Sequence, residues 1–315
     1  ANYHRRKLNT KIIAITGSNG KTTTKELVLN VLKSRFKTVA TKGNLNNHLG
    51  VPLSLLSIEK DAEIGIIEMG ANHLNEIANL CVIAEPDFGY ITNFGNAHLE
   101  GFKSLEGVIK GKSELYDYLK SNKKFIFYNS DNKKQSNILN GYANTFTYGL
   151  NDDSNCNIIN CSNEDSVHVN YRSELIKSNI YGDYNFENIC IEIAIGEYFG
   201  VSFEQIKKGI ESYLPENNRS QVTITERNTV VLDAYNANPT SMKLALESFC
   251  KTSYTNKMII VGDMFELGSD SIHYHQEIIN YLEKINNSII YIVGEYFCNT
   301  KHSDRIRSFS SSKEL

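Results

Sequence analysis

Short runs rich in β-branched residues alternate along the chain with longer segments of helical periodicity. The run 11–16, "KIIAIT", has the pattern of a buried strand, and the segment 21–36 that follows it carries apolar residues at helical spacing. The same alternation continues with strand patterns at 63–70, 87–95 and 123–131 and helical patterns at 74–83 and 104–121. Such alternation is typical of βαβ units, so we predict an α/β fold built on a mostly parallel sheet.

The second half of the chain repeats this organisation after a change of pattern. Residues 145–181 alternate over short stretches, which indicates a β-rich insert or edge, and two helical patterns follow between 185 and 214. After "PENNRSQ" (215–221) the alternation restarts, with strands at 229–233, 257–262 and 288–293 and helices at 240–250 and 271–286. A chain of 315 residues suggests about two domains. We therefore predict a first domain at 1–219 and a second, Rossmann-like domain at 220–315.

Composition excludes several classes of protein. The net charge of −3 offers no basic field for a nucleic acid. Six cysteines without a CxxC pair indicate the thiols of a cytosolic protein rather than a disulfide framework. No apolar run approaches the ~18 residues of a membrane-spanning helix, and the first ten residues lack the apolar region of a signal peptide.

The most specific motif is the loop between the first strand and the first helix, "GSNGKTT". It has the form G-x-x-G-K-T and is shorter than the usual phosphate loop, because Ile15 stands where that loop has its first glycine. Gly17 and Gly20 allow the backbone to fold around phosphate oxygens at a helix N-terminus. Lys21 would supply positive charge and Thr22 a magnesium ligand. The alternative is a glycine-rich turn with an exposed lysine.

Two further polar residues follow the ends of predicted strands. Glu68 ends the strand at 63–70, and His98 lies just beyond the strand at 87–95. Taken alone, Glu68 could be a helix-capping partner and His98 an ordinary hydrogen-bonded loop histidine. Ligands of open α/β sheets bind at the carboxyl edge of the strands, where the phosphate loop also lies. The combination therefore predicts that Glu68 and His98 join Thr22 around divalent cations.

Three other stretches carry candidate polar residues without a unique interpretation. The amide-rich "GNLNNHLGVP" (43–52) is either turn chemistry or a polar surface for a substrate carboxylate or nucleotide. Asp233 ends a strand and is placed either to accept ribose hydroxyls or to cap a helix. The segment "VGDMFELG" (261–268) adds Asp263 and Glu266 at another strand end.

Taken together, the motifs resemble the Mur ligases of peptidoglycan synthesis. The resemblance is carried by "GSNGKTTTKE", "GNLNNHLGVP", "EMGANHLNEI", "TNFGNAHLEGF", "KGKSELY", "DAYNANPTSM" and "GDMFELG", in the order of the family and over most of residues 10–294. The family uses the shortened G-x-x-G-K-[ST] loop, so Ile15 is no defect. "GANH", "NAHLEGF" and "YNANPTSM" are most similar to the branch that adds D-alanyl-D-alanine.

The resemblance implies an ATP-dependent carbon–nitrogen ligase with a P-loop central domain and a Rossmann-like C-terminal domain. It would join D-alanyl-D-alanine to UDP-N-acetylmuramoyl-tripeptide through an acyl phosphate. It also implies that residues 1–219 form the ATP-binding domain. An N-terminal UDP-sugar-binding domain would be absent from this chain, and 220–315 would be an incomplete ligase domain.

The resemblance also implies roles for individual residues. Lys21, His98 and Lys112 would be catalytic, and two Mg²⁺ ions would be held by Thr22, Glu68, His98 and Lys112, the last as a carbamate. The residues implied to bind ATP are Gly17, Ser18, Asn19, Gly20, Lys21, Thr22, Thr23, Asn185, Asn188, Arg219 and Asp233. The chain departs from the family where Tyr184 replaces a histidine and Leu232 an acidic residue, which weakens the inference for contacts from those turns.

Two rival interpretations remain open. One is a different amide ligase of the same fold, such as a folylpolyglutamate synthase, against which "GNLNNHLGVP" and "YNANPTSM" argue. The other is a P-loop module that binds nucleotide without ligating, against which the second metal site argues. We expect a monomer without nucleic-acid partners or a membrane span.

Overall fold

A seven-stranded, entirely parallel sheet forms the centre of the first part of the chain. The computed structural model describes residues 1–151 and 153–315. The strands of this sheet are β1 (Lys11–Thr16), β2 (Thr38–Ala40), β3 (Ile64–Glu68), β4 (Phe88–Ile91), β5 (Phe125–Asn129), β6 (Thr145–Gly149) and β7 (Cys156–Asn157). Their order across the sheet is β2-β3-β1-β4-β5-β6-β7, with every neighbouring pair parallel. The predicted parallel α/β fold is confirmed.

The strand order reverses at β1, which places the phosphate loop in a specific position. From β1 the chain passes to the edge strand β2 and back to β3 beside β1, then crosses to β4 on the other side of β1 and continues to β5, so the loops leaving β1 and β4 run in opposite directions. At such a switch point the loops leaving the two strands diverge and leave a crevice at the carboxyl edge of the sheet. The phosphate loop follows β1, Glu68 is the last residue of β3, and His98 lies in the loop after β4, so the topology brings these three features to one edge.

Helices cover both faces of the central sheet. The helices before residue 219 are α1 (Asn2–Arg5), α2 (Lys21–Leu32), α3 (Gly50–Leu56), α4 (Glu76–Ala84), α5 (Leu99–Phe102), α6 (Leu105–Ser121), α7 (Lys133–Ile138), α8 (Phe186–Tyr198) and α9 (Phe203–Ser212). Alternation along β1 divides the core, because Ile13 and Ile15 pack with α2, α8 and α9, whereas Ile12 and Ala14 pack with α3, α4 and α6. A sheet buried on both faces explains the continuously apolar strands.

The predicted β-rich stretch after residue 145 contains the last two strands of the main sheet and a small antiparallel sheet. The antiparallel sheet consists of β8 (Ile159–Asn160), β9 (His168–Tyr171) and β10 (Glu174–Lys177). Val169 and Ile176 are buried and extend the core on the α8 side. A short 3₁₀ helix at Asp183–Asn185 then leads into α8.

The second part of the chain contains a hairpin, a parallel sheet and its own hydrophobic core. The hairpin strands are β11 (Gln221–Ile224) and β12 (Thr229–Leu232), and the parallel strands are β13 (Lys257–Gly262), β14 (Ser288–Val293) and β15 (Ile306–Phe309). The helices are α10 (Pro239–Lys251), α11 (Ser271–Leu282) and α12 (Glu295–Cys298), with a 3₁₀ helix at Gly268–Asp270. No helix in the described part of the chain is long and apolar enough to cross a membrane.

One local expectation needs correction. The stretch 43–52 was predicted as a loop, but helix α3 begins within it at Gly50. Pro52 lies in the first turn, where a missing N–H costs nothing, so the proline does not prevent the helix. The loop proper ends at Asn47, whose side-chain oxygen accepts hydrogen bonds from the N–H groups of Leu49 and Gly50.

Candidate functional site

The glycine-rich turn between β1 and α2 has a conformation that other residues could not adopt without strain. Gly17 has a φ of 139° and Gly20 a φ of 81°. A Cβ at Gly17 would lie 2.0 Å from Oγ1 of Thr92, and one at Gly20 would lie 2.8 Å from Oδ1 of Asn188. The backbone therefore passes closely between two neighbouring loops. It leaves the N–H groups of the first turn of α2 without helical acceptors, which makes this turn suitable for an anion.

Lys21 lies at the start of α2 and folds back over the turn. Its Nζ donates hydrogen bonds to the carbonyl oxygens of Gly17 (2.8 Å) and Ser18 (3.1 Å). Burial lowers the pKa of Lys21, the carboxylate of Glu68 opposes that shift, and the charge of Arg219 adds to it. Within the described residues, the hydrogen-bond partners of Lys21 are neutral carbonyl groups, so a phosphate at the turn would provide the counter-charge.

Glu68 ends β3 with one carboxylate oxygen satisfied and the other not. Its Oε1 accepts hydrogen bonds from Oγ1 of Thr22 (3.3 Å) and from Nδ2 of Asn46 (2.8 Å). Its Oε2 is buried and has no hydrogen-bond partner among the described residues. A buried carboxylate oxygen without a partner is costly, and a hard divalent cation is the ligand that would satisfy it. The residues present therefore fit a Mg²⁺ ion held by Thr22 and Glu68.

Asn46 was not singled out from the sequence. It belongs to the amide-rich stretch 43–52, which was predicted to serve as turn chemistry or as a substrate surface. In the structure its side chain orients Glu68, and its backbone carbonyl accepts a hydrogen bond from the N–H of Gly70. The density of amides in the sequence was the available signal, but it did not indicate which residue they would contact.

His98 precedes α5 in a left-handed backbone conformation, with φ 54° and ψ 38°. Its Nδ1 is in hydrogen-bond contact with Oε2 of Glu266, which belongs to the second part of the chain. Burial lowers the pKa of His98, the charges of Lys112 and Lys21 lower it further, and Glu266 opposes them. The imidazole therefore favours its neutral form, which is the form that binds metal ions.

Lys112 lies within α6 and its side chain is completely buried. Its Nζ donates a hydrogen bond of 2.9 Å to the carbonyl oxygen of Ala71 and lies 5.1 Å from the ring centroid of Phe102. Burial lowers the pKa of Lys112 well below its ordinary value, and the charge of Lys21 contributes to the shift. The site thus favours the uncharged amine.

These residues surround a cavity of about 660 Å³ between the two parts of the chain. Its walls include Lys21, Thr22, Glu68, His98 and Arg219, whereas Lys112 lies behind them and does not line it. No group of three or more His, Cys, Asp or Glu side chains gathers as a metal site within residues 1–151 and 153–315. A cation here would therefore combine a carboxylate with a hydroxyl, an imidazole and substrate oxygens.

A second cavity of about 400 Å³ adjoins the other side of the phosphate loop. Asn185, Asn188, Arg219 and Asp233 line it together with Asn19, Gly20 and Thr23. Nδ2 of Asn188 donates to Oδ1 of Asn185 (2.8 Å), and Oδ1 of Asn188 accepts from the hydroxyl of Thr24 (3.0 Å). The structure thus groups the residues for which the resemblance implies base and ribose binding.

Tyr184 and Arg219 close this second cavity. The Tyr184 hydroxyl donates to Oδ2 of Asp233 (3.1 Å), so the residue that departs from the family pattern contacts the predicted ribose ligand directly. The Arg219 guanidinium stacks 3.6 Å from the ring centroid of Tyr235, and Arg219 lines both cavities. Arg219 therefore lies where the two cavities meet, next to Lys21.

A direct hydrogen bond joins the phosphate loop to the second part of the chain. Nδ2 of Asn238, the N-cap of α10, donates to Oδ1 of Asn19 at 2.6 Å. The N–H of Asn96 donates to Oγ1 of Thr240 at 3.2 Å. Sequence patterns missed these contacts because their partners are separated by more than 140 residues. They tie the start of α10 to the turn that would hold phosphates.

The chain matches two family models in succession. Residues 15–196 match the Mur ligase middle domain, and residues 218–310 match the Mur ligase, glutamate ligase domain. The chain is 32% identical to the UDP-N-acetylmuramoyl-tripeptide–D-alanyl-D-alanine ligase of Bacillus subtilis (strain 168), with all of this chain and 71% of that protein covered.

Solved structures of MurF ligases are similar to the chain over nearly its whole length. A crystal structure of MurF from Acinetobacter baumannii superimposes with a TM-score of 0.87 at 28% identity, covering 99% of this chain and 70% of that one. MurF ligase from Thermotoga maritima in complex with ADP superimposes with a TM-score of 0.85 at 26% identity, covering 99% of this chain and 74% of that one.

Proposed function

This chain belongs to the Mur ligase family, and from that premise we propose that it forms the amide bond between UDP-N-acetylmuramoyl-tripeptide and D-alanyl-D-alanine at the expense of ATP. The product of that reaction is a precursor of peptidoglycan, so its supply bears on cell-wall synthesis, cell shape and division. Relatives of the chain carry this activity in their names, and a structure of MurF superimposes on the chain. We further propose a cytoplasmic location, as the scattered cysteines indicate.

The observation that carries the proposal is that Oε2 of Glu68, whose carboxylate contacts the hydroxyl of Thr22, has no hydrogen-bond partner within residues 1–151 and 153–315. Buried polar atoms in native proteins almost always have a partner, and Glu68 is an exception that lines a cavity, where a bound ligand could supply the partner. A Mg²⁺ ion between Glu68, Thr22 and the terminal phosphates of ATP would satisfy this oxygen. When bound, Mg²⁺ would offset negative charge on the transferring phosphoryl group.

We assign the nucleotide to both cavities. The adenosine would occupy the smaller cavity, with its base near Asn185 and Asn188 and its ribose on Asp233. The phosphates would then cross the loop of residues 17–23 toward Lys21, and Arg219 would contact them where the cavities meet. This path follows the dipole of α2, whose N-terminus favours anions.

The tripeptide and the dipeptide would react in the larger cavity. An oxygen of the tripeptide carboxylate attacks the γ-phosphorus, and the bond to the bridging oxygen breaks, which gives an acyl phosphate and ADP. The amine of D-alanyl-D-alanine then attacks the acyl carbon, the carbon–oxygen bond to phosphate breaks, and the amine loses a proton. In the first step the carboxylate and the γ-phosphate are both anions, and the positive charge of Lys21 would reduce the repulsion between them.

We propose that Lys112 acts as a carbamate. A neutral amine adds CO₂ and releases one proton, which turns a cation that would repel Mg²⁺ into an anionic oxygen ligand. Complete burial and the lowered pKa of Lys112 favour the neutral amine that this addition needs. Together with His98, the carbamate would hold the second of two Mg²⁺ ions.

Phosphate release measured against a panel of substrates tests the assignment. With ATP, Mg²⁺ and UDP-N-acetylmuramoyl-tripeptide, release should require D-alanyl-D-alanine and should not be supported by glutamate or diamino acids as acceptors. Preference for another acceptor would assign the chain to a different amide ligase of the family. A protein that binds ATP without releasing phosphate with any acceptor would be a nucleotide-binding module, and the ligase proposal would be wrong.

A further inference from the structure

The contact between His98 and Glu266 joins residues 168 positions apart in the sequence. It lies at the border between the cavity of about 660 Å³ and a neighbouring cleft lined by Glu100, Phe265 and Glu266. A contact of this kind between partly exposed side chains would ordinarily contribute little. Three features of the structure distinguish it.

The first feature is strain in the backbone of both partners. His98 has a φ of 54° and Glu266 a φ of 62°, a left-handed region that residues with a Cβ adopt only at an energetic cost. Two non-glycine residues in this conformation touch each other across the domains. Such strain persists only where surrounding contacts hold it, and it concentrates at functional sites.

The second feature is a backbone contact that fixes Glu266 independently of its side chain. The N–H of Glu100 donates a hydrogen bond of 3.2 Å to the carbonyl oxygen of Glu266. Gly268, with a φ of 65°, brings the same loop to within 3.4 Å of the Cα of Glu100, measured from an ideal Cβ position. The loop after β13 is therefore docked on the start of α5, with Glu266 aimed at the imidazole.

The third feature is the chemistry of the contact. An ionised carboxylate only accepts hydrogen bonds, so the Nδ1 of a neutral His98 must carry the proton that reaches Glu266. The lone pair of that imidazole is then on Nε2, the atom left for a ligand. Carboxylates that orient metal-binding histidines in this way are common partners outside the ligand sphere.

We propose that Glu266 is a positioning residue that holds His98 in the Nδ1–H form, so that the cation site of the first domain is complete only when the second domain is docked as it is here. This inference rests on the proposed function for the identity of the cation. Domain closure and metal binding would then be coupled, because the residue that orients the imidazole arrives with the second domain. A nucleotide held by both domains would promote cation binding at His98.

The first test measures the protonated nitrogen of His98 directly, without nucleotide or turnover. Ring ¹⁵N shifts of histidine-labelled protein at pH 8, assigned with His98→Gln, should show Nδ1–H in the wild type. Glu266→Gln should retain this form, because its amide oxygen still accepts the hydrogen bond, and Glu266→Ala should lose it. Glu277→Ala is the matched control, since Glu277 contacts exposed His273 at 3.4 Å on α11 and lies outside both cavities. A wild-type Nε2–H form, or an Nδ1–H form that survives Glu266→Ala, would overturn the proposal.

The second test measures cation affinity, again without turnover. Mn²⁺ binding in the presence of a non-hydrolysable ATP analogue should contain a component that His98→Gln weakens. We expect Glu266→Ala to weaken the same component by about 10–100-fold and Glu277→Ala to leave it unchanged. If Glu266→Ala bound Mn²⁺ with unchanged affinity, the contact between Glu266 and His98 would have no role in cation binding, and the proposal would be wrong. Since neither measurement involves an acceptor, failure to ligate D-alanyl-D-alanine would count against the proposed function alone.

Discussion

The hydroxyl of Thr22 and the carboxylate of Glu68 meet at 3.3 Å across the carboxyl edge of the central sheet. The two residues are 46 positions apart and follow neighbouring parallel strands. The strand order therefore assembles the contact, and the second oxygen of Glu68 is left without a partner in the part of the chain that the structure describes. This arrangement is costly unless a ligand completes it.

Replacement of Glu68 by glutamine should separate function from stability. The variant loses the anionic ligand, a term commonly worth several kcal/mol, so phosphate release should fall by at least about 100-fold. Its melting temperature should be equal to or above that of the wild type, because a buried charge has been removed. Glu59→Gln, which alters an exposed ion pair with Lys37, is the control. Near-wild-type release by Glu68→Gln at modest Mg²⁺ would remove Glu68 from the metal site.

Lys21→Ala should fold normally and lose the stabilisation that nucleotide confers. A ligand at about 100 times its dissociation constant stabilises a protein by roughly 2.7 kcal/mol, so the thermal shift with ATP and Mg²⁺ is measurable in the wild type. Lys33→Ala, at the opposite and exposed end of α2, should keep the full shift. An equal shift in Lys21→Ala would show that this lysine does not contact the phosphates.

Lys112→Ala should abolish ligation, and bicarbonate or a short carboxylic acid should restore part of it by occupying the vacated position. Lys110→Ala, an exposed neighbour on the same helix, should be fully active. Electron density with Mg²⁺ and nucleotide bound should continue beyond Nζ of Lys112. A plain ammonium group in an active ternary complex would contradict the carbamate, as would full activity of Lys112→Ala.

Much of the fold could be predicted, because long periodic segments determine their own structure. The bounds predicted for β1, β13 and β14 agree with the observed strands. Helix α3 was not predicted because the residues before and at its start are typical of turns. The proline in its first turn is compatible with a helix but does not by itself indicate one. Topology alone was enough to predict that the phosphate loop, Glu68 and His98 lie at one edge of the sheet, because parallel strands share a carboxyl edge.

Contacts between the domains could not be predicted in the same way. Neither Glu266 with His98 nor Asn238 with Asn19 follows from periodicity, because both depend on how two independently formed cores are apposed. Asn46 belongs to the amide-rich stretch 43–52, which the sequence analysis singled out. Its hydrogen bond to Glu68 depends on the conformation of the loop, which the sequence pattern does not specify. Local patterns thus predict elements, whereas orienting contacts require the assembled chain.

A buried carboxylic acid away from the site predicts the pH dependence of stability. Glu192 in α8 is fully buried with both oxygens unpartnered within the described chain, and burial raises its pKa well above 4.5. The folded state thus retains a proton that the unfolded state releases, so stability falls as pH rises above about 4.5, by at most about 1.4 kcal/mol per unit. Stability should stop falling once pH exceeds the raised folded pKa.

Glu192→Gln should remove this contribution. The variant should gain stability relative to the wild type as pH rises from 5 to 8, measured as the free energy of unfolding in denaturant titrations. Glu204→Gln, at an exposed position of α9, should follow the wild-type profile. Parallel profiles for Glu192→Gln and wild type would show that Glu192 is ionised in the folded protein.

The central claim is that the tripeptide carboxylate is activated as an acyl phosphate before the amide bond forms. The most direct measurement follows ¹⁸O from that carboxylate, with both of its oxygens labelled, during turnover with ATP and D-alanyl-D-alanine. Since the attacking oxygen bridges carbon and phosphorus and leaves with phosphorus, the account predicts one ¹⁸O atom in each released phosphate and one in the new amide. Phosphate without ¹⁸O, released while the amide forms, would contradict it.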